Sequence, residues 1–416
     1  MTIKRILPLS FIFACTAAAW MMLGSTLFAR TYGLDEGLRP RISSSWGTAQ
    51  IQWPPNATYE RETAIPSSSS DDGQVKTQTV TQTISLPLSS TRAQVRLELQ
   101  HRQKGLLWYS TYKVNFAGEY IFENNSGGDQ NVTFSFPLPA RQAMYDNVVF
   151  AINGVPVEFS NKNNTADATA RIEAGKVATL KVAYSSQGMD RWDYRFSDQV
   201  AHVRDFKLAM STNFKDIDFP DNTLSPSGEH ETADGWGLEW NYKDLLSGYQ
   251  IGMVMPEKLQ PGPLAGRMSY FAPVSLFFFF FMVFMITTIR GVDLHPMNYF
   301  FLAAAFFAFH LLMAYLVDHV SLNWSFFVSA VVSLALVISY MRQVTGPRFA
   351  VVECGLAQLV YLVLFSYAFF FKGFTGLTVT IGSIITLFVV MQMTGKINWS
   401  EKFALATGVL PHTPGR

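Results

Sequence analysis

Cysteine is scarce in this chain. There are two, Cys15 and Cys354, and both lie in apolar runs. The long polar stretch between those runs therefore folds without a disulfide, even in an oxidising compartment. Zinc sites built on four cysteines are excluded by the same count, and one built on two cysteines with two histidines is excluded from the polar stretch, which holds no cysteine. An excess of one charge is also missing, with 32 Lys plus Arg against 31 Asp plus Glu. A nucleic-acid partner would call for a basic face, so none is expected. Neither a Gly-x-Ser-x-Gly elbow nor a His-Glu-x-x-His pair occurs, and no catalytic residue, cofactor or metal site is assigned. Asp216–Asp221, with His230 and Glu231 beyond it, clusters carboxylates suited to a hard cation. It lacks the glycine and closing glutamate of a calcium loop and reads as a solvated loop.

Long apolar runs are what the chain does have. Five follow in succession, about Tyr270–Ile289, Met297–Val317, Trp324–Met341, Phe349–Phe371 and Phe374–Gly395. Each approaches the roughly 20 residues that cross a hydrocarbon core as a helix. Another, Ile6–Ala29, follows Lys4 and Arg5. It exceeds the apolar core of a signal peptide, and cleavage after Ala29 would put Leu27 where a small residue belongs. It reads as an uncleaved anchor, with a cleaved signal as the alternative. The bias of Lys and Arg toward cytoplasmic joints sets the orientation. With the N-terminus inside, Arg290, Arg342, Arg348, Lys396, Lys402 and Arg416 also fall inside, while Lys372 falls outside.

The expected fold is a polytopic α-helical membrane protein with six transmembrane helices. A large exported all-β, sandwich-like domain sits between helices one and two. The divisions are 1–29 for the anchor, 30–266 for the β-rich domain, 267–396 for a five-helix block and 397–416 for a cytoplasmic tail.

Within the exported region, Thr31–Asp72 is rich in Ser, Pro, Gly and Arg and reads mostly as loop and linker. Strands are expected over Val75–Leu86, Val95–Leu99 and Leu106–Phe122, the last breaking near Ala117–Gly118. Hairpins are expected across the NNSGGDQ joint after Phe122, across Asn153–Gly154 and across Glu173–Lys176. Asn-Gly is the strongest of these signals, because a type I′ turn needs positive φ at both central residues. Later strands fall at Tyr194–Phe196, Ala201–Met210, Gly237–Tyr242 and Tyr249–Met255. Ser185–Phe196 mixes charges and aromatics and reads as a strand pair with surface charge, or as a binding rim.

Polar residues inside apolar spans are the default functional hints. His310 lies about 20 Å along its span from Met297, and hydrogen bonding to a neighbouring helix is the plain reading. Glu353 is placed to reach the interface or to pair with Arg348, and Gln358 and Gln392 to join helices. The helices look continuous. In the joint after the second span, Pro296 suits the first turn of the third helix and Asp293 its cap.

That joint also carries a resemblance. Arg290, Leu294, His295, Pro296 and Tyr299 form an Arg-x-x-x-Leu-His-Pro-x-x-Tyr string ahead of an apolar span. It is similar to the CreD family of bacterial inner-membrane proteins, also described as cell-envelope integrity proteins. Asp318–His319 and Met341–Arg342 sit where that family has polar joints, and the likeness runs to Lys396, about a third of the chain. Separately, Phe122–Asn124 followed by Phe134–Ala140 is similar to a pattern of extracellular adhesion-like sandwich modules. The CreD resemblance implies a Gram-negative inner membrane, a link to envelope stress and expression under two-component control. It supplies no catalytic residues.

The function expected is a non-enzymatic inner-membrane protein serving envelope integrity or stress tolerance, with membrane lipids and a periplasmic or membrane protein as partners. A small-molecule or lipid transporter using His310 is one alternative. A membrane-bound cell-wall enzyme using Asp318 and His319 is the other. The residues singled out are Arg290, His295, Pro296, Tyr299, His310, Asp318 and His319.

Overall fold

The computed structural model describes residues 3–66, 77–371 and 373–395. The turn expected at Ser67–Asp72 and the basic residues Lys372, Lys396, Lys402 and Arg416 lie outside the described residues. The chain forms two compact units. One takes Met1–Glu36 with Leu259–Arg416, the other Gly37–Lys258.

Among the described residues, six helices have the length and composition of membrane spans. They are α1 (Ile3–Trp46), α2 (Pro261–Arg290), α3 (Pro296–Leu316), α4 (Leu322–Thr345), α5 (Phe349–Phe370) and α6 (Thr375–Thr394). In the Phe277–Phe281 run of α2, Phe279 and Phe280 are buried while Phe277 and Phe281 face outward. Five consecutive residues cover more than one helical turn, so this division is forced. The α5 span is continuous, as expected, but Phe349–Gly355 and Leu359–Leu364 are π-helical. The small residues Ser325, Ser329, Ala330 and Ser333 of α4 are buried. Ser333 donates to the Ala305 carbonyl and accepts from Gln358 Nε2, both at 2.7 Å, so Gln358 ties α5 to α4. Gln392, expected to act likewise, is exposed.

The expected loop from Thr31 is overturned: α1 continues to Trp46. Ile42 is buried, and the Arg102 guanidinium lies 3.2 Å from the Trp46 ring centroid. Ser43 bonds back to the Arg39 carbonyl at 2.9 Å. Packing of this kind outweighs the weak helix propensity of a Ser- and Gly-rich stretch.

In chain order the strands begin with β1 (Gln50–Gln52), β2 (Asn56–Pro66), β3 (Thr77–Ser85), β4 (Leu88–Lys104) and β5 (Leu107–Glu123). Then come β6 (Gln130–Pro137), β7 (Tyr145–Ile152), β8 (Val155–Pro156), β9 (Ser160–Lys162), β10 (Thr165–Ile172) and β11 (Val177–Met189). The last are β12 (Arg191–Tyr194), β13 (Ala201–Thr212), β14 (Gly228–Glu231), β15 (Trp236–Ser247) and β16 (Ile251–Val254). They build an eight-stranded sheet ordered β14-β15-β13-β4-β5-β11-β7-β8, a five-stranded sheet ordered β3-β2-β6-β10-β9, and a three-stranded sheet β1-β12-β16. Pairing is mixed: β13–β4 and β1–β12 are parallel.

Alternation on β5 explains how the two larger sheets meet. Val114, Phe116, Tyr120 and Phe122 point inward, and Lys113, Asn115 and Ala117 outward. Phe116 meets Phe136 of β6 at 6.2 Å, and Phe122 meets Phe134 at 5.7 Å. One apolar cluster thus spans both inner faces. The break expected near Ala117–Gly118 does not occur. Gly118 is an inward position where a Cβ would stand 2.6 Å from the Tyr120 ring, so the glycine makes room for tyrosine rather than a turn.

Of the three expected hairpins, the Asn153–Gly154 turn joins adjacent β7 and β8, with φ of 51° and 80°. The other two are corrected. β5 and β6 lie in different sheets, as do β10 and β11, so those joints are crossovers. Turn residues report a reversal locally but not the partner that a strand finds. Ser185–Phe196 is not a surface pair either. Trp192, Asp193 and Tyr194 of β12 are all buried, because this short strand is covered on both faces.

Asp193 is the buried ion of this unit, 4% exposed, accepting from Arg191 Nε at 2.7 Å. Burial raises its pKa, and the arginine only partly opposes that. A folded value above the unfolded one gives stability that is full below the unfolded pKa and is lost as pH rises through the folded pKa. Asp193→Asn lacks that loss. Thermal unfolding of the full-length chain should show the variant gaining on the wild type as pH rises above 3.8. A pH-independent difference would refute the assignment.

Candidate functional site

The residues singled out from sequence fall at two places along α3, not at one. Tyr299 and Asp318 are separated by about 28 Å of helix at 1.5 Å per residue.

At the first place, Gly291 ends α2 in the left-handed conformation, with φ 69°. The cap of α3 is His295 rather than the expected Asp293: Met297 N–H donates to its Nδ1 at 3.2 Å. Pro296 occupies the first turn, where its missing N–H costs nothing. Tyr299 is buried with its ring edge-on to Phe280, 5.3 Å between centroids. Next to it, Tyr340 of α4 donates to Asn298 Oδ1 at 2.7 Å. The Phe280–Tyr299 contact joins α2 to α3, and the Tyr340 bond joins α4 to α3. Arg290 pairs with Glu353, so the expected Arg348 partner is corrected. The choice is a tertiary one, since α5 packs against α2 and carries Glu353 to the end of that helix.

The second place involves α1. Arg30 holds Asp318 with two hydrogen bonds, 2.8 and 3.1 Å. His319 is exposed. Deeper in the block, His310 is buried, with Nδ1 3.2 Å from the Phe306 carbonyl of its own helix, not a neighbour's. Its ring stands edge-on to Trp20 of α1 and to Phe309, at 5.5 and 4.9 Å. Nearby, Ser25 and Tyr270 share a 2.8 Å hydrogen bond, and the rings of Phe28 and Tyr270 stack at 5.6 Å. A Cβ on Gly24 would meet the Tyr270 ring at 3.1 Å, and one on Gly266 would meet Phe28 at 2.8 Å. His310 and Asp318 therefore seat α1 on the other helices. Asp318 is engaged by Arg30.

The β unit offers a groove of about 440 Å³ on the outward face of its eight-stranded sheet. Arg96, Asn115, Ser211, His230 and Glu239 line it, and the His230 ring fills the space above Gly237. Among the described residues no group of three His, Cys, Asp or Glu could hold a metal ion. Glu231 of the carboxylate-rich region pairs instead with Lys215.

Residues 251–400 match the family model described as inner membrane protein CreD. The match covers a little over a third of the chain and contains α2 to α6. No curated protein matches. Among solved structures the chain is similar to a Legionella pneumophila protein described as nutrient-binding, at 11% identity, covering 47% of this chain and 74% of that one, with a TM-score of 0.30. It is also similar to an M1 zinc metallopeptidase from Deinococcus radiodurans, at 10% identity and a TM-score of 0.24. That second likeness covers 41% of this chain and 42% of the peptidase. Both are too slight to carry a function across.

Sequence reasoning missed Trp20, Arg30 and the Arg290–Glu353 pair. A signal was present for Arg30, a charge directly after an apolar run with Asp318 at the far end of another. The Arg30–Asp318 pair is bidentate and two-thirds or more buried on both sides. A double-mutant cycle with Arg30→Ala and Asp318→Ala in the detergent-purified chain should give a coupling of about 1–2 kcal/mol. Additive effects would mean the pair does not help to seat α1.

Proposed function

We propose that this chain is a CreD-type inner-membrane protein that serves envelope integrity without catalysing a reaction. The family match over residues 251–400 is the observation that carries the reading. In this reading both termini are cytoplasmic and the β unit, a sandwich of two facing sheets, is periplasmic. Two features support that orientation. Arg290, Arg342 and Arg348 fall at the ends expected inside. Tyr315 and Trp324, both exposed, stand at the opposite ends of α3 and α4, where amphipathic rings favour the interface.

The β unit supplies the working surface. Its outward groove mixes Arg96, Glu239 and His230 with small residues, a lining that suits a polar envelope component or an extended protein segment. The non-enzymatic reading draws support from the partners already held by the ionisable groups, Asp318 by Arg30 and Glu231 by Lys215.

The test is genetic. Loss of the chain from its host should raise envelope permeability to a detergent or dye, and the intact chain should restore the barrier. Filling the groove with Ser211→Trp should weaken that rescue several-fold at equal protein level. Single substitutions of Asp318 or His319 that preserve the fold should still rescue. If either of those abolishes rescue while groove substitutions do not, the enzymatic alternative gains the ground.

A further inference from the structure

A cleft of about 700 Å³ runs between α2, α5 and α6. Its walls are almost wholly apolar, with Phe278, Met282, Val360, Leu364 and Ile385 among them. It extends along α5 from Glu353 to Ala368, about 20 Å at helical rise. Tyr361 crosses its wall to donate to Thr386 Oγ1 at 2.9 Å. In a bilayer the hydrophobic effect does not press helices together, because lipid tails solvate apolar side chains as well as leucine does. A gap of this size and polarity between spans is therefore a place for an acyl chain.

One end of the cleft is charged. Arg290 and Glu353 both line it and pair with each other. Glu353 has a side chain only 10% exposed, and its Oε2 is buried without a hydrogen-bond partner. A carboxylate oxygen in that state is costly, and more so at a hydrocarbon boundary. Arg290 is half-exposed, at 53%, and its guanidinium keeps donors suited to a phosphate. The site thus offers an apolar slot, a phosphate-binding cation and, beside it, an acceptor needing a donor.

We propose that this cleft binds one glycerophospholipid whose headgroup joins a phosphate to a primary ammonium. The acyl chain fills the slot, the phosphate meets Arg290, and the ammonium donates to Glu353 Oε2. A choline headgroup has no N–H to give, and a glycerol headgroup has hydroxyls but no cation. The inference shares with the proposed function only the placement of the helices in a bilayer, and resistance of the chain to carbonate extraction tests that placement separately.

The experiment is native mass spectrometry of the full-length chain in mild-detergent micelles. The micelles carry equimolar dioleoyl phosphatidylethanolamine, phosphatidylglycerol and phosphatidylcholine. One phosphatidylethanolamine per chain should be retained, preferred about tenfold over the other two, as one charge-assisted hydrogen bond would give. Glu353→Gln should erase the preference. Gly382 also lines the cleft, and a Cβ there meets nothing within 4 Å. Gly382→Leu should therefore fold normally, leave the ion pair intact and reduce retention of all three lipids. Equal retention of the three, preference for phosphatidylglycerol, absence of bound lipid, or no effect of Gly382→Leu would each overturn the proposal.

Discussion

The seating of α1 is the interaction on which the helical unit depends. Apolar helices in hydrocarbon are not driven together by water, so contact must come from close fit and from a few polar bonds. Here Gly24 and Gly266 let the Tyr270 and Phe28 rings lie against the opposing helix. Trp20 closes over His310, and Arg30 clasps Asp318 at the end of the interface. These contacts make the first apolar run a structural member of the same compact unit as the block that begins at Leu259, although more than 200 residues intervene in the chain. They also account for two residues that stood out in sequence as chemical candidates. A histidine and an aspartate in apolar surroundings are costly wherever they sit; here His310 packs against Trp20 and Asp318 pairs with Arg30.

What could be read from sequence follows from how local each signal is. The six long apolar helices were legible because about 20 apolar residues in a row admit few other fates. The Asn153–Gly154 hairpin was legible because both residues sit at positive φ and the turn brings together strands that touch. The joints after Phe122 and at Glu173–Lys176 carry turn residues of equal quality, yet each leads to another sheet. Their destination is set by the inner faces of β5, β6, β10 and β11, which meet only after the chain has crossed. Gly118 misled for a related reason: its missing side chain answers Tyr120, a need that is visible only in the packed core.

The candidate site was legible in its residues and not in its pairings. Pro296 at a helix start is a one-turn rule, and it held. The partner of Glu353 is a long-range choice: Arg348 is nearer in sequence, but Arg290 lies across the interface with α2. Glu353 also lies in a π-helical stretch of α5, whose winding differs from that of a regular helix. No periodicity argument anticipates it. The run from Thr31 to Trp46 shows the reverse case, a composition that suggests loop but is held helical by Ile42 and Trp46 in their unit.

The central claim is that α1 is seated on the other helices of its unit through Trp20 and Arg30. The most direct measurement is peptide mapping by mass spectrometry of the protein purified from its native membrane. Peptides that cover Ile6–Ala29 are expected. A mature species shortened by the Ile6–Ala29 segment would contradict the account, because Trp20 would be lost and Arg30 would be left without the helix that presents it to Asp318.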